Sequence, residues 1–224
     1  MDRLHRIKLL FGIDAINKLK QSTVMVVGCG AVGSFATEAL ARSGIGHIIL
    51  IDFDKVEESN INRQLFAVDS TIGKPKVDVA RARIHDINPD IIVDTFNLFF
   101  DDTTNLNIKP DFVIDAIDSV QSKIALYKWC FNNNVPFISS MGAARKMDVT
   151  KIKIDKISKT TVCPLAAKIR HIVKSERLKD FPVVYSTEPA TPQKDGGREF
   201  GSVITVTGIF GLMLADFVIK KLIS

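Results

Sequence analysis

The stretch that decides the fold is VMVVGCGAVGSFATEALARSGIGHIILIDFD, residues 24–54. Its apolar beginning predicts a strand that leads directly into the spaced glycines Gly28, Gly30 and Gly33. A helix-like segment and a second apolar strand ending at Asp52 follow. This order of strand, glycine turn, helix, strand and acid is typical of a nucleotide held at a helix N-terminus. It leaves open which nucleotide binds and what the protein does with it.

The composition indicates one α/β domain with a large core. The chain has 224 residues, 46% of them hydrophobic, which is enough for a single core and argues against disorder. A formal net charge of +5 permits an anionic partner such as RNA without requiring one. Three widely separated cysteines, Cys29, Cys130 and Cys163, exclude a disulfide framework and a Cys-x-x-Cys zinc site. They fit a reducing compartment, so we expect a cytoplasmic protein.

The chain, 1–224, is expected to form a single domain, with a nucleotide-binding core over 1–140 and a substrate-side extension over 141–224. Arg3–Leu19 has the spacing of an amphipathic helix. After it, short β-branched runs alternate with helical stretches, which predicts a mostly parallel Rossmann-like sheet with helices on both faces. The predicted strands are Thr23–Val27, Ile48–Ile51, Ile91–Phe96, Phe112–Ile114 and Pro136–Ser139, and the predicted helices are Val32–Ser43, Lys76–Ile87 and Ser119–Asn133.

The pattern changes in the second half. Thr150–Ile157 alternates apolar and polar residues, as in a half-exposed strand at an antiparallel or edge position. A short helix is predicted over Pro164–Lys174, a further strand over Val183–Tyr185 and a polar loop over Glu188–Gly201. Val203–Ile223 is largely apolar, but charges and glycines interrupt it. We therefore expect a core helix that covers one face of the sheet, and no stable membrane insertion.

A polar and cationic cluster after the second strand favours ATP over a dinucleotide. On the glycine motif and Asp52 alone, an NAD-dependent redox enzyme or a nucleotide-sensing module remains an alternative. Arg63 and Lys76, however, could neutralise the charge of a triphosphate, and Asn60 and Gln64 could orient ribose and phosphate oxygens. Each cation taken singly could be an ordinary surface charge. That explanation is weaker for a cluster placed just after the acid that would bind ribose.

Two acids, Asp115 and Asp118, lie at the end of the fourth predicted strand. Ligands of open α/β sheets bind outside the carboxyl ends of the strands. One of these carboxylates could therefore hold Mg²⁺ against phosphate oxygens. The alternative is a helix N-cap, because Asp118 and Ser119 directly precede a predicted helix.

Five motifs resemble those of the ubiquitin-activating-enzyme superfamily of adenylating Rossmann-like proteins, in the same order and over most of residues 3–140. They are GCGAVGS (28–34), LIDFD (50–54), SNINRQ (59–64), GKPK (73–76) and DAIDS (115–119). In that superfamily ATP reacts with a substrate carboxylate to give an acyl-adenylate and pyrophosphate. The resemblance therefore implies a Rossmann-like α/β fold, ATP and Mg²⁺, and a homodimer.

The resemblance also implies roles for individual residues. Asp118 would hold Mg²⁺, and Arg63 and Lys76 would act on the phosphates. Arg6 resembles the arginine that such dimers donate into the partner's phosphate site, with Arg3 as a second candidate, and it completes the implied catalytic set. The implied nucleotide-binding residues are Gly28, Gly30, Ala31, Gly33, Asp52, Asp54, Asn60, Arg63, Gln64, Lys76 and Ile117.

The second half resembles the bacterial tRNA threonylcarbamoyladenosine dehydratase subfamily in PLAAKIR (164–170), YSTEPA (185–190) and EFGSVITVTGIFG (199–211). This resemblance implies ATP-dependent cyclisation of N6-threonylcarbamoyladenosine at position 37, in the anticodon loop of tRNA. It further implies a monovalent cation and, as a partner, a sulfur-transfer or cysteine desulfurase system. The alternative is an adenylyltransferase for the C-terminus of a ubiquitin-like sulfur carrier. Such enzymes generally carry paired Cys-x-x-Cys motifs, which this chain lacks.

Basic side chains are dense after Met141. They permit contact with an RNA backbone through its phosphates. A solvated basic surface explains them equally well, so the sequence leaves this point open. The residues are Lys146, Lys151, Lys153, Lys156, Lys159, Lys168, Arg170 and Lys174.

Overall fold

The computed structural model describes residues 2–192 and 200–224, and one seven-stranded sheet runs through them. The strand order is β3-β2-β1-β4-β5-β7-β6, and all neighbours are parallel except β6 and β7. The predicted mostly parallel α/β fold with a small antiparallel extension is confirmed. The strands are β1 (Thr23–Val27), β2 (His47–Ile51), β3 (Ile92–Phe96), β4 (Phe112–Asp115), β5 (Phe137–Ser140), β6 (Ile152–Lys156) and β7 (Pro182–Ser186).

Helices cover both faces of this sheet and enclose two apolar cores. Along β1, Val24 and Val26 belong to one core, whereas Met25 and Val27 belong to the other. A strand buried on both faces explains why its sequence is apolar without alternation. The helices are α1 (His5–Phe11), α2 (Ile13–Gln21), α3 (Gly33–Ser43), α4 (Lys76–Ile87), α5 (Val120–Asn132), α6 (Pro164–Ser175) and α7 (Ile204–Ile223). Helices α2, α3, α4 and α7 pack on the first face, and α5 and α6 on the second.

Helix α7 is the predicted core helix at the end of the chain. It packs along α3 and also contacts the sheet, and it buries Val206, Phe210, Leu214 and Val218 completely. The apolar residues of α7 therefore form part of the core on one face of the sheet. Within residues 2–192 and 200–224, the structure contains no helix with both the length and the apolar character that a bilayer crossing demands.

The N-terminal segment corrects one prediction. Arg3–Leu19 does not form one amphipathic helix, because Gly12 adopts φ +83° and separates α1 from α2. Such a positive φ interrupts a right-handed helix and is accessible to glycine at little cost. Helix α1 buries none of its own residues, and Leu9 and Leu10 are 69% and 74% exposed.

In the second half of the chain, the helices and strands match the predicted ones, and only their first and last residues differ slightly. Strand β6 pairs antiparallel with β7 and forms the edge of the sheet, as its alternating sequence predicts. The predicted loop Glu188–Gly201 lies partly outside the described residues, since 193–199 are not among them. Its described ends, up to 192 and from 200 onward, both approach the cleft described next.

Candidate nucleotide-binding and active site

A cleft of about 800 Å³ opens at the carboxyl ends of the parallel strands. The loops that follow β1 to β5 all contribute to its wall, which is where ligands bind in open α/β sheets. Most of the residues that the sequence analysis proposes for nucleotide binding lie in this wall. They are Gly28, Gly30, Ala31, Asp52, Asp54, Arg63, Gln64, Lys76, Ile117 and Asp118.

The glycine turn is shaped by two close backbone approaches. Gly28 has φ +96°, and a Cβ atom on it would lie 2.7 Å from the carbonyl oxygen of Ala116. A Cβ atom on Gly33 would lie 1.7 Å from the carbonyl oxygen of Gly28. Gly30 differs, because its nearest neighbour would be the side-chain nitrogen of Gln64 at 3.8 Å. The outer glycines therefore fix the turn, whereas Gly30 leaves its surface open to a ligand.

Gly33→Ala is expected to lower the free energy of unfolding by about 1–3 kcal/mol or more, because its methyl group would displace backbone. Gly30→Ala is the matched control and should stay within about 1 kcal/mol of the wild-type protein. It should nevertheless weaken ATP binding, since Gly30 lines the cleft and an added methyl group would occupy space there. Urea denaturation and ATP titration measure the two effects. Equal unfolding midpoints for both variants would contradict the assignment of Gly33 to packing.

Asp52 joins the glycine turn to the end of β2. Its two carboxylate oxygens accept hydrogen bonds from the backbone N–H groups of Cys29 at 2.6 Å and Asp54 at 2.8 Å. Burial raises the pKa of the Asp52 carboxyl above its ordinary value, and the two backbone hydrogen bonds partly oppose this. A carboxylate oxygen can accept more than one hydrogen bond and Asp52 lines the cleft, so the carboxylate can still accept hydrogen bonds from ribose hydroxyls.

Two cationic side chains line the same cleft. The Nζ atom of Lys76 lies 2.7 Å from a carboxylate oxygen of Asp54, and the Lys76 side chain is only 8% exposed. The guanidinium of Arg63 donates hydrogen bonds to the carbonyl oxygen of Ser59 at 2.7 Å and to the side chain of Asn62 at 2.8 Å. These three contacts hold the two cations in place before any anion binds. The arrangement suits the neutralisation of phosphate charge.

The structure separates the two acids that follow β4. Asp115 is fully buried, lies 2.7 Å from Nζ of Lys123 and accepts a hydrogen bond from Oγ of Ser139 at 2.5 Å. Asp118 is exposed on the cleft wall, and within the described residues its carboxylate has no hydrogen bond. The N-cap of α5 is Ser119, so Asp118 does not serve as the cap. An exposed carboxylate on the wall of this cleft fits the donor set of Mg²⁺.

Two of the implied nucleotide-binding residues lie behind the cleft wall. Gly33 packs against Gly28, as described above. Asn60 is buried, and its side-chain oxygen accepts a hydrogen bond from the backbone N–H of Glu57 at 3.3 Å. This contact stabilises the short 3₁₀ turn Glu58–Asn60 that precedes Arg63. Both residues therefore shape the site from outside its lining.

Neither N-terminal arginine reaches the cleft of its own chain. Arg6 is exposed on α1, and the guanidinium of Arg3 donates a hydrogen bond to the carbonyl oxygen of Ile87 at 2.7 Å. Ile87 is the last residue of α4. An arginine from this segment could act at the cleft only if a second copy of the chain supplied it.

The described cysteines have the character of packing residues. All three are free and buried. Burial raises the pKa of the Cys29 and Cys130 thiols well above the ordinary value, so neither is a thiolate at neutral pH. Cys163 borders the cleft just before α6.

The sequence profile of the ThiF family matches residues 2–224. The chain belongs to the ThiF family. Among its relatives, the tRNA threonylcarbamoyladenosine dehydratase of Bacillus subtilis (strain 168) is 44% identical over 207 residues, which cover 90% of this chain and 82% of that protein.

Solved structures extend this similarity to the whole fold of the ThiF-family chain. The crystal structures of the E. coli dehydratase TcdA with ATP and with AMP match with a TM-score of 0.92 each and identities of 36% and 38%. Each match covers 98% of this chain and 93% of that one. The molybdopterin-synthase adenylyltransferase of Escherichia coli (strain K12) is 39% identical, but over 140 residues, or 62% of this chain and 55% of that protein.

Sequence reasoning missed two aromatic groups in the cleft of this ThiF-family protein. The first is the pair of rings Phe53 and Phe99, and the second is the Phe200 ring with the Arg145 guanidinium. The rings of Phe53 and Phe99 meet edge to face with centroids 5.0 Å apart. The guanidinium carbon of Arg145 lies 5.6 Å from the ring centroid of Phe200. Phe53 could have been noticed, because it is an exposed aromatic between the two acids of LIDFD. No local pattern marks Arg145 and Phe200, which meet only through the fold.

Proposed function

We propose that this protein is an ATP-dependent tRNA dehydratase that cyclises N6-threonylcarbamoyladenosine at position 37 of tRNA. The observation that carries this proposal is the extent of the similarity. The matches to the Bacillus subtilis and E. coli dehydratases span 90% and 98% of the chain, whereas the match to the E. coli molybdopterin-synthase adenylyltransferase spans 62%. The cleft supports the same reading, since it combines a nucleotide turn with two cations and an open carboxylate.

The chemistry of the substrate explains the need for ATP. Its threonine carboxylate is joined through a urea to N6 of adenine, and a carboxylate is a poor electrophile. A carboxylate oxygen attacks the α-phosphorus of ATP, and the bond to pyrophosphate breaks. The neighbouring ureido group then attacks the activated carbonyl carbon, closes a five-membered ring, gives up a proton and displaces AMP. Intramolecular attack by a positioned group gains a large effective molarity, so no protein nucleophile is required.

The residues of the cleft would position the two substrates and stabilise charge. Asp52 would accept hydrogen bonds from the ribose hydroxyls of ATP, and Arg63 and Lys76 would neutralise its phosphates. Asp54 would keep Lys76 oriented through their ion pair. Mg²⁺, held by Asp118, would supply further charge neutralisation at the phosphate oxygens.

The proposal includes a homodimer that acts in the cytoplasm, where its tRNA substrate is found. Helix α1 supports the dimer, because it exposes Leu9 and Leu10 and buries none of its own residues. Covering these side chains with a second copy would bury apolar surface. The same contact would carry Arg6 of α1 toward the cleft of the partner. The basic residues after Met141 offer a surface for the RNA backbone.

Purified protein incubated with ATP, Mg²⁺ and threonylcarbamoyl-modified tRNA should yield the cyclic nucleoside, AMP and pyrophosphate. The same tRNA without the threonylcarbamoyl group is the matched control and should release no AMP, because it offers no carboxylate. Mass spectrometry of the digested tRNA and detection of AMP measure the reaction. A folded protein that forms neither product contradicts the proposal. Pyrophosphate exchange that depends on a ubiquitin-like carrier would instead indicate the adenylyltransferase reaction.

A further inference from the structure

We infer that the cleft accommodates two purine rings at once, and that Arg145 and Phe200 form the subsite for the adenine of the substrate nucleoside. This inference deepens the proposed function and rests on it. It assigns the two aromatic groups of the cleft to different ligands. The first belongs to ATP and the second to the modified adenosine of the tRNA.

The first aromatic group lies on the ATP side of the cleft. Phe53 directly follows Asp52 at the end of β2, and Phe99 follows β3. Both rings are about half exposed, and both line the cleft. Because Asp52 is the acid placed to hold a ribose, an adenine attached to that ribose would lie against this pair of rings.

The second aromatic group lies on the other side of the glycine turn. Arg145 follows β5, and Phe200 precedes α7. The Phe200 ring is 63% exposed and faces the Arg145 guanidinium 5.6 Å from its centroid. A guanidinium plane and an aromatic ring are the two side-chain groups on which unpaired RNA bases stack.

Arg145 is held in an unfavourable backbone conformation at this point. Its φ of +60° lies in the left-handed region, which costs energy for a residue other than glycine. Its backbone N–H donates a hydrogen bond to the carbonyl of Gly201 at 2.9 Å, and its carbonyl accepts one from the N–H of Thr191. Its side-chain Nε atom donates another to the carbonyl of Thr191 at 2.7 Å. Two backbone contacts thus fix the position of Arg145, and one side-chain contact holds its guanidinium beside Phe200 before any ligand binds.

The spacing between the two groups suits the reaction. In the sheet, β1 and β4 separate β2 from β5, so the two aromatic groups start from strands roughly 14 Å apart at the usual spacing. The glycine turn after β1 and Asp118 after β4 lie between them. A carboxylate on a short arm from a purine in the second subsite would therefore point toward the phosphates of ATP. The exposed side chain of Lys168 lines the same end of the cleft and adds positive charge there.

Phe200→Leu should raise the KM for threonylcarbamoyl-modified tRNA about 5- to 150-fold, the range expected for loss of one stacked base. The Kd for ATP should change less than about twofold. Phe200→Tyr keeps an aromatic ring and should restore most of the tRNA affinity. Phe99→Leu should show the opposite pattern. It should raise the Kd for ATP and leave unchanged the Kd for an anticodon stem-loop that carries the modified adenosine.

Substitutions of Arg145, which faces Phe200, can separate the contribution of positive charge to tRNA binding from that of stacking. Arg145→Lys keeps the positive charge but removes the planar guanidinium, so it should also raise the KM for the modified tRNA. Lys179→Ala removes an exposed charge outside the cleft and serves as the control for general RNA attraction. An effect of Arg145→Lys no larger than that of Lys179→Ala would overturn the stacking role of Arg145.

The wild-type protein distinguishes failure of this inference from failure of the proposed function. If it does not cyclise the modified tRNA, the proposed function is wrong, and the subsite inference that depends on it is wrong as well. If it does, and Phe200→Leu leaves the KM for tRNA unchanged, only the subsite is wrong. Mutual exclusion of the modified stem-loop and a non-hydrolysable ATP analogue in binding assays would likewise overturn the inference, because two subsites admit both ligands.

Discussion

Lys123→Met should lower the free energy of unfolding by about 3–5 kcal/mol, the effect of removing one partner of a buried ion pair. Lys123 and Asp115 are both 0% exposed, and their charged atoms lie 2.7 Å apart. The Lys123 Nζ atom also donates a hydrogen bond to the carbonyl oxygen of Ser140 at 2.7 Å. Without Lys123, the hydrogen bonds left to the Asp115 carboxylate in the described part of the chain come from Ser139 and from the backbone N–H of Ile117. A buried charge would then lack its counter-ion.

Helix α5 provides the matched control for this experiment. Lys128 pairs with Glu176 at 2.9 Å, but its side chain is 41% exposed. Lys128→Met should therefore cost no more than about 1 kcal/mol in urea denaturation. Adding Asp115→Asn to Lys123→Met should recover part of the lost stability, because it removes the uncompensated charge. Similar losses for the two single variants would show that burial of the Lys123 pair has little energetic consequence.

The same ion pair connects the core to the proposed site. The second oxygen of Asp115 accepts a hydrogen bond from the backbone N–H of Ile117 at 3.0 Å. Ile117 and Asp118 both line the cleft, so Asp115 helps to fix the loop that presents Asp118. We therefore expect Lys123→Met to slow turnover as well, even at temperatures where the variant remains folded.

Asp118→Asn should reduce turnover of the modified tRNA by about 10²- to 10³-fold, the cost typical of removing one group that stabilises transition-state charge. Its thermal stability should remain that of the wild-type protein, since the Asp118 carboxylate has no hydrogen bond within the described residues. The amide keeps the size of the side chain and loses the negative charge that would hold Mg²⁺. The dependence of AMP formation on Mg²⁺ concentration should shift to higher concentrations.

Asp102→Asn is the control for this substitution, because Asp102 is an exposed acid that does not line the cleft. It should leave both turnover and the Mg²⁺ dependence unchanged. Full activity of Asp118→Asn would exclude Asp118 from the charge-stabilising set. A large fall in thermal stability would instead mean that its carboxylate supports the fold.

The order of elements could be predicted from local patterns. Short β-branched apolar runs such as Thr23–Val27 are typical of strands buried on both faces, and this pattern is visible in the residues themselves. The spacing of Gly28, Gly30 and Gly33 likewise reflects a backbone geometry confined to a few residues. The N-terminal break was not visible, because a glycine such as Gly12 is also tolerated inside a helical pattern.

The sequence by itself determined the parallel α/β sheet, the nucleotide turn and the cluster that favours ATP, because each depends on neighbours close in the chain. The family resemblance already implied Asp118 as the Mg²⁺ ligand, but only the tertiary structure shows how the surroundings of Asp115 and Asp118 differ. Two acids three residues apart look alike in sequence, yet one is neutralised by Lys123 in the core and the other faces the cleft. Burial and pairing depend on what distant segments place around a side chain. For the same reason, only the fold could bring Arg145 and Phe200 into contact.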